Sequence, residues 1–195
     1  MPEQTAYDRL SNETALVLFC DLQKEIIEHS GTATPKGIAS SAGALFQLAK
    51  MFSIPAIISV APEGKKPPEV IAELRETDGY APQMLRTTAS LFGDEATAQA
   101  VERSGRNVLV VAGFMMEAVV LATVLDARTH GYEVVVAVDA CGSSSERTEH
   151  AVVRQMESAG AVLTSVVSIG VRLSPDFSTQ AGQRMFAIVQ EIKPS

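Results

Sequence analysis

VVAGFMMEAVVLATVLDARTHGY, residues 110–132, has the pattern of a buried strand, a tight turn and a helix. Gly113 marks the turn, and Gly131 follows the helix. A strand that turns sharply into a helix is suited to presenting a reactive side chain at the edge of a sheet. Yet Glu117 is the only polar side chain of the turn and of the first helical turn. The stretch therefore predicts the architecture of an active site without supplying a nucleophile.

Around this stretch, apolar runs of strand length alternate with helical patterns. The almost wholly apolar runs favour burial on both faces, as in a parallel sheet, and lie at Ala15–Cys20, Pro55–Val60, Gln83–Arg86, Asn107–Ala112, Glu133–Val138 and Ala161–Val166. Helical patterns cover roughly 37–52, 67–76, 94–104, 117–130, 145–158 and 178–192. The alternation predicts an α/β, doubly wound fold with a six-stranded, mainly parallel sheet and helices on both faces. We expect residues 1–195 to form a single domain.

Several polar residues and glycines predict where the helices begin and end. Asp94 and Ser145 precede helical patterns and are plausible N-caps, because their side chains can accept a hydrogen bond from a free N–H of the first turn. Gly105, Gly131 and Gly160 each stand between a helix and the following strand. A left-handed residue is favoured there, which predicts a positive φ at all three glycines.

Composition excludes several classes of protein. Of 195 residues, 46% are hydrophobic and 20% charged, as in an ordinary globular domain. The net charge of -7 argues against a surface for nucleic acid or anionic membrane. There is no apolar run of membrane-spanning length and no signal-peptide pattern, and Cys20 and Cys141 read as reduced thiols, so a cytoplasmic protein is expected. The histidines at 29, 130 and 150 form no ligand cluster, so neither a metal nor another cofactor is expected.

Ligands of such folds bind beyond the carboxyl ends of the strands, so the residues that follow each strand are candidate site residues. Asp21 follows the first predicted strand, and Arg86 ends the third. The turn GFMMEAVV follows the fourth, and Asp139 and Cys141 follow the fifth. We expect these four strand ends to converge.

Four motifs in this order resemble the isochorismatase-like cysteine hydrolase superfamily, which includes nicotinamidases, other amidases and isochorismatases. The first is Asp-x-Gln after an apolar strand, here Asp21-Leu22-Gln23. The second is a Gly turn that leads into a helix containing Thr123, Asp126 and Ala127. The third matches Gly131–Ser143, and the last is the helix His150–Ala161. The resemblance extends from about Ala15 to Phe177.

The resemblance implies a catalytic triad of Asp, Lys and Cys, of which only the Asp is present. Asp21 takes the position of the general base, and Arg86 that of the Lys. Arg cannot act as a proton donor, but it is a fixed cation for a carboxylate. The nucleophilic Cys lies six residues after the turn Gly in the family, which is Val119 here, and Val cannot attack a carbonyl group. Cys20 should face away from Asp21 by strand alternation, and Cys141 reads as a structural thiol.

The turn itself supplies the remaining candidate residues. The resemblance implies a non-proline cis peptide there, by position Phe114–Met115, which turns amide hydrogens toward an anion. We predict that Met115, Met116 and Glu117 contact the ligand; Met116 stands where relatives often have Thr, so the pocket mouth should be more apolar. The simpler alternatives are that the methionines fill the core and that Glu117 is a favourable charge at a helix N-terminus.

Three functions remain open. The chain can be an impaired family member that binds a small anionic or amide ligand. It can be a hydrolase that works without a thiol, through acid-catalysed cleavage of a vinyl ether by Asp21. It can also be a structural oligomer with a vestigial pocket. In each case we predict a homo-oligomer, because the helix over 117–130 is apolar on several faces, and no membrane or nucleic-acid partner.

Overall fold

The computed structural model describes residues 5–75 and 79–193, and in these residues the chain forms one sheet of six parallel strands. The strands are β1 (Ala15–Cys20), β2 (Ala56–Val60), β3 (Gln83–Leu85), β4 (Val108–Phe114), β5 (Glu133–Gly142) and β6 (Val162–Thr164). Their order across the sheet is β3-β2-β1-β4-β5-β6. All five pairings between neighbours are parallel. The predicted fold class is confirmed, and the sheet has no antiparallel pairing among the described strands.

Helices cover both faces of the sheet. In the described residues they are α1 (Ala6–Arg9), α2 (Lys24–Ile27), α3 (Pro35–Met51), α4 (Glu95–Arg103), α5 (Leu121–Thr129), α6 (Glu146–Ser158), α7 (Val166–Leu173) and α8 (Gln180–Gln190). One buried cluster joins Val17 and Phe19 of β1 to α3, α7 and α8. A second joins Leu16, Leu18 and Cys20 of the same strand to α4, α5 and α6. Alternate side chains of β1 thus enter different cores, as the near-continuous apolar run predicts.

The helix boundaries agree with the predicted capping residues. Asp94 accepts a hydrogen bond from the Thr97 N–H, and Ser145 accepts one from the Thr148 N–H. Gly105, Gly131 and Gly160 have φ values of 65°, 84° and 86°. None of the helices in the described parts of the chain is long and apolar enough to cross a membrane.

One predicted helix was wrong, and two predicted strands end elsewhere. The fifth strand runs to Gly142 rather than Val138, so Asp139 and Cys141 lie within β5 and not after it. The helical pattern at 67–76 yields only a 3₁₀ turn at Ala72–Leu74, and its last residue falls outside the described residues. Pro67 and Pro68 disfavour helix there, and Val70 instead forms a bridge with Gln23. The strand predicted to end at Val166 ends at Thr164, because Val166 begins α7. Ser165 caps that helix by accepting from the Ser168 N–H, a start signal that the apolar run concealed.

Candidate active site

The candidate site lies where the order of the strands reverses. From β1 the chain winds outward through β2 and β3, and then returns to place β4 on the other side of β1. Loops after β1 and β4 diverge at such a switch point and leave a crevice at the carboxyl ends of the strands. Asp21 follows β1, Arg86 follows β3, and Val119 lies beyond β4, so all three stand past the same edge of the sheet.

Asp21 and Arg86 form a direct ion pair that is almost sealed from solvent. The Arg86 Nη2 donates to the Asp21 Oδ2, and the two residues are 4% and 7% exposed. Asp21 has a φ of 51°, and its carbonyl oxygen accepts from the Gln23 N–H at 2.8 Å. A positive φ is uncommon for a residue other than Gly, although Asp tolerates it, and such conformations cluster at functional sites. The local turn therefore directs this carboxylate toward Arg86.

Ser59 connects both members of the pair and was missed by sequence reasoning. Its hydroxyl accepts from the Arg86 Nε at 2.8 Å and donates to the Asp21 Oδ1 at 3.5 Å. The Arg86 Nη1 donates to the Thr88 carbonyl oxygen, so each guanidinium nitrogen has a partner. Ser59 lies in β2, between the two strands that precede Asp21 and Arg86. A polar residue near the end of the apolar run PAIISV was the available signal for its role.

The pKa of Asp21 reflects two opposing effects. Burial raises the pKa, whereas the Arg86 charge and the hydrogen bonds from Arg86 and Ser59 lower it. Burial prevails, and the pKa of Asp21 lies above its usual value. This carboxyl group can therefore hold a proton at a higher pH than an exposed Asp, which is the property of a general acid or base.

The turn after β4 has the expected form. The peptide bond between Phe114 and Met115 is cis, as the resemblance implied. Met116–Val120 forms a π-helical turn that leads into α5. An ideal Cβ at Gly113 would lie 2.2 Å from the Cys20 carbonyl oxygen, so only Gly lets β4 approach the end of β1 this closely.

Val119 is packed into the second core cluster rather than exposed in an open cleft. Met116, Cys20 and Cys141 belong to the same cluster, and all four residues are buried. Burial raises the pKa of Cys141 to about 12 and that of Cys20 well above its usual value. Because a thiolate is the reactive form of cysteine, both native thiols are poor nucleophiles at neutral pH.

Glu117, which follows β4, and Asp139, which lies within β5, make local structural contacts. The Glu117 Oε1 accepts from the Ser144 N–H at 2.9 Å and from the Ser144 hydroxyl. Burial raises the pKa of Glu117, but the Ser144 hydrogen bonds outweigh it and hold the pKa below its usual value. The Asp139 carboxylate accepts from the Val166 N–H at the start of α7. Glu117 thus links the β4 turn to the loop after β5; its predicted ligand contact stays a prediction, as do those of half-buried Met115 and buried Met116.

Among residues 5–75 and 79–193, no group of three or more His, Cys, Asp or Glu side chains is arranged to hold a metal ion. Asp21 is paired with Arg86, and the positive charge of Arg86 would repel a metal ion bound to the Asp21 carboxylate. The expected absence of a metal cofactor stays a prediction that elemental analysis can test.

Sequence comparison identifies relatives that match most of the chain. Residues 14–168 match the family described as Isochorismatase domain. The probable hydrolase YcaC from Escherichia coli (strain K12) is 29% identical over 176 residues, which cover 88% of this chain and 83% of that protein. Isochorismatase domain-containing protein 2 from Xenopus laevis is 26% identical over 187 residues, which cover 95% and 88%.

Solved structures share the fold over nearly the same extent. YcaC from Pseudomonas aeruginosa, with hexane-2,5-diol and covalent acrylamide, superposes with a TM-score of 0.87 at 28% identity, over 95% of this chain and 92% of that one. The YcaC gene product from Escherichia coli, described as an octameric hydrolase of unknown specificity, has a TM-score of 0.85 at 29% identity, over 92% and 90%.

Proposed function

This chain belongs to the isochorismatase domain family, and on that premise we propose that it is a hydrolase-like member. It binds a small anionic or amide ligand beside Asp21 and Arg86, but it has little or no thiol-dependent amidase activity. The observation that carries the proposal is the state of the candidate nucleophiles. Val119 stands at the position that the resemblance assigns to the catalytic Cys, and both thiols of the chain are buried with raised pKa values. A covalent thioester route has no competent attacking group.

The ion pair supports the binding half of the proposal. Arg86 is a buried fixed cation, which suits the carboxylate of an anionic ligand or the carbonyl oxygen of an amide. Asp21 accepts a hydrogen bond when ionised and donates one when protonated, so it can pair with either end of an amide group. A ligand that inserts between them replaces the Asp21–Arg86 contact with two contacts of its own.

The thiol half of the proposal predicts inertness toward thiol reagents. Incubation of the folded protein with acrylamide or iodoacetamide should leave its mass unchanged at neutral pH, because both native thiols are buried. Hydrolysis of a panel of amides that includes nicotinamide should be absent or unaffected by the reagent. Asp21→Asn should abolish ligand binding and any residual turnover, since it keeps the shape but removes the acid–base group. Asp126→Asn on α5, the same substitution away from the site, is the control. Turnover that iodoacetamide stops would refute the proposal.

A second candidate function is favoured by the raised pKa of Asp21. A protonated Asp21 can donate its proton to the double bond of a vinyl ether, after which water adds to the resulting cation and the ether breaks down to a carbonyl compound and an alcohol. Arg86 would hold a carboxylate of that substrate. Because the acid form is required, the rate of isochorismate cleavage should fall as pH rises through the pKa of Asp21.

We also propose that the chain forms a homo-oligomer. The octameric Escherichia coli YcaC supports this assembly by similarity. The helix over 117–130 supports this assembly less than expected, since Val119, Val120 and Val124 are buried within the chain. Leu125 of the same helix is exposed and is available to a second copy. Other large apolar side chains on the surface support it better, above all Leu85, which is 59% exposed at the sheet edge, and the Phe177–Phe186 ring pair. Light scattering at micromolar concentration should give a multiple of 20.7 kDa, and a monomer would contradict the proposal.

A further inference from the structure

Residues 61–70, here named the 61–70 segment, leave the sheet directly between the two charged residues of the candidate site. The segment follows β2, and the neighbours of β2 are β1, which precedes Asp21, and β3, which precedes Arg86. Ser59, two residues before the segment, contacts both side chains. The segment therefore leaves the carboxyl edge of the sheet beside the ion pair.

Gln23 holds both ends of the segment. Its side chain donates to the Ala61 carbonyl oxygen at 3.0 Å and accepts from the Ala61 N–H at 2.6 Å, and it donates to the Glu63 carboxylate at 2.7 Å. Its backbone is bridged to Val70 at the other end. Gln23 is fully buried, and each side-chain atom that can form hydrogen bonds does so with this segment. One residue therefore closes a ten-residue loop.

Between these anchors the segment is exposed and weakly attached. Glu63 and Lys66 pair across a tight turn in which Gly64 has a φ of 60°. Lys65 and Lys66 are exposed, and the Lys66–Glu25 ion pair is 3.8 Å long between exposed side chains. Few buried contacts and exposed backbone characterise segments that open locally before the rest of a protein unfolds.

The ion pair requires such an opening if it is to meet a ligand. Asp21 and Arg86 are only 7% and 4% exposed, so a ligand that contacts both side chains requires the residues around them to move. We propose that the 61–70 segment is a lid over the Asp21–Arg86 site and that Gln23 is the positioning residue that latches it. This inference rests on the proposed function in that it takes this pair as the ligand site. Because Gln23 lies two residues after Asp21, and its N–H binds the Asp21 carbonyl oxygen, the latch also fixes the turn that aims the carboxylate.

Gln23→Glu tests the latch at constant volume. The substitution removes both donated hydrogen bonds and places a carboxylate against that of Glu63. Gln99→Glu is the matched control, because the Gln99 amide also donates to a carboxylate, that of Glu95 at 3.0 Å, but on the exposed surface of α4. Glu63→Gln added to Gln23→Glu reverses donor and acceptor and restores a hydrogen bond between the two side chains, although the bond to the Ala61 carbonyl oxygen stays lost, so it should rescue in part.

Two readouts separate a lid from a merely loose loop. Trypsin can cut after Lys65, and phenylglyoxal can modify Arg86; both products are identified by peptide mass spectrometry. In Gln23→Glu we expect both rates to rise roughly tenfold, which corresponds to about 1.4 kcal/mol of lost closure. Iodoacetamide labelling of buried Cys141 should not change, since it reports on wider opening. The rescue variant should return both rates toward the unmodified protein.

Three results would overturn the proposal: faster trypsin cleavage with unchanged Arg86 modification, equal acceleration of Cys141 labelling, or an equal effect of Gln99→Glu. If Gln23→Glu does not fold, Glu63→Ala is the second variant, because it removes the hydrogen bond between Gln23 and Glu63 without changing the buried residue. For this variant the lid predicts smaller increases in the rates of trypsin cleavage and Arg86 modification. These readouts need no ligand. Failure of every ligand to bind would therefore contradict the proposed function while leaving the lid to be judged by its own rates.

Discussion

Arg86→Met is expected to lower the free energy of unfolding by about 3–5 kcal/mol at pH 7, the usual cost of leaving a buried charge without its partner. Met has a similar length and no charge, so the variant keeps most of the packing and leaves the Asp21 carboxyl group with Ser59 as its remaining side-chain partner. Urea denaturation followed by circular dichroism measures the loss. Among the variants discussed, this one should affect stability most.

The loss should shrink as the pH falls. Burial already raises the pKa of Asp21, and removal of Arg86 removes its main opposing influence, so the folded variant binds the proton more tightly than the unfolded chain. A group with a raised folded pKa favours the native state below its unfolded pKa, close to 3.8, and this contribution disappears as the pH rises through the folded pKa. The difference between wild type and variant should thus be small near pH 4 and should grow as the pH rises.

A surface ion pair provides the matched control. Arg75 contacts Glu69 directly, but both side chains are more than half exposed, so Arg75→Met should change stability by no more than about 1 kcal/mol. Adding Asp21→Asn to Arg86→Met removes the orphaned charge and should recover part of the loss. Equal effects of Arg86→Met and Arg75→Met would show that the Asp21–Arg86 pair is not a buried, partnered unit.

Val119→Cys is expected to create the most reactive thiol of the protein. At pH 7 a thiol with a pKa of about 12, as in Cys141, is ionised in roughly one molecule in 100,000. The introduced thiol would be buried like Val119, which raises a thiol pKa, but it would also lie in the first turn of a helix and past the same sheet edge as Arg86. Both of these features lower a thiol pKa, and we expect them to prevail. Iodoacetamide should therefore label it at least about a hundredfold faster than Cys20 or Cys141.

Val124→Cys is the control for this experiment. Val124 lies on α5, is equally buried and stands one turn beyond Val119, away from the strand edge. Both substitutions replace one small apolar side chain with another, so folding should suffer little, as thermal unfolding can verify. If the two introduced thiols are equally inert in folded protein, the pocket has closed as well as lost its nucleophile, and the vestigial alternative is favoured.

The sequence predicts those features that depend on local pattern. Most strands contain a short apolar run, so the strands and their parallel arrangement follow from hydrophobicity and from the helices between them; the short edge strand β3, with its exposed residues, carries the weakest signal. Asp21 and Arg86 are predicted as site residues because each stands at the end of such a run. The contact between them depends on the sheet order, which places β2 between their strands.

The roles of Ser59 and Gln23 depend on contacts distant in sequence. Ser59 is one polar residue in an apolar strand until the pairing of β1 with β2 sets it beside Asp21. Gln23 belongs to a recognised motif, but its partners lie 38 and 40 residues later. Pro67, Pro68 and the bridge to Val70 replaced the helix that periodicity predicted, since tertiary pairing overrides a weak local preference.

The strand order also determines which strand edges stay unpaired while the chain is being synthesised. β1 is central and wholly buried, and it pairs on one side with Ala56 onward and on the other with Val108 onward. At roughly 5–20 residues per second, β4 is synthesised several seconds after β1 and β2. During that interval the nascent chain presents an apolar strand with an unpaired backbone edge, which is a template for aggregation. Chaperone demand during translation should therefore stay high before residue 114 leaves the exit tunnel, and should fall only when β5 has also emerged and paired with the outer edge of β4.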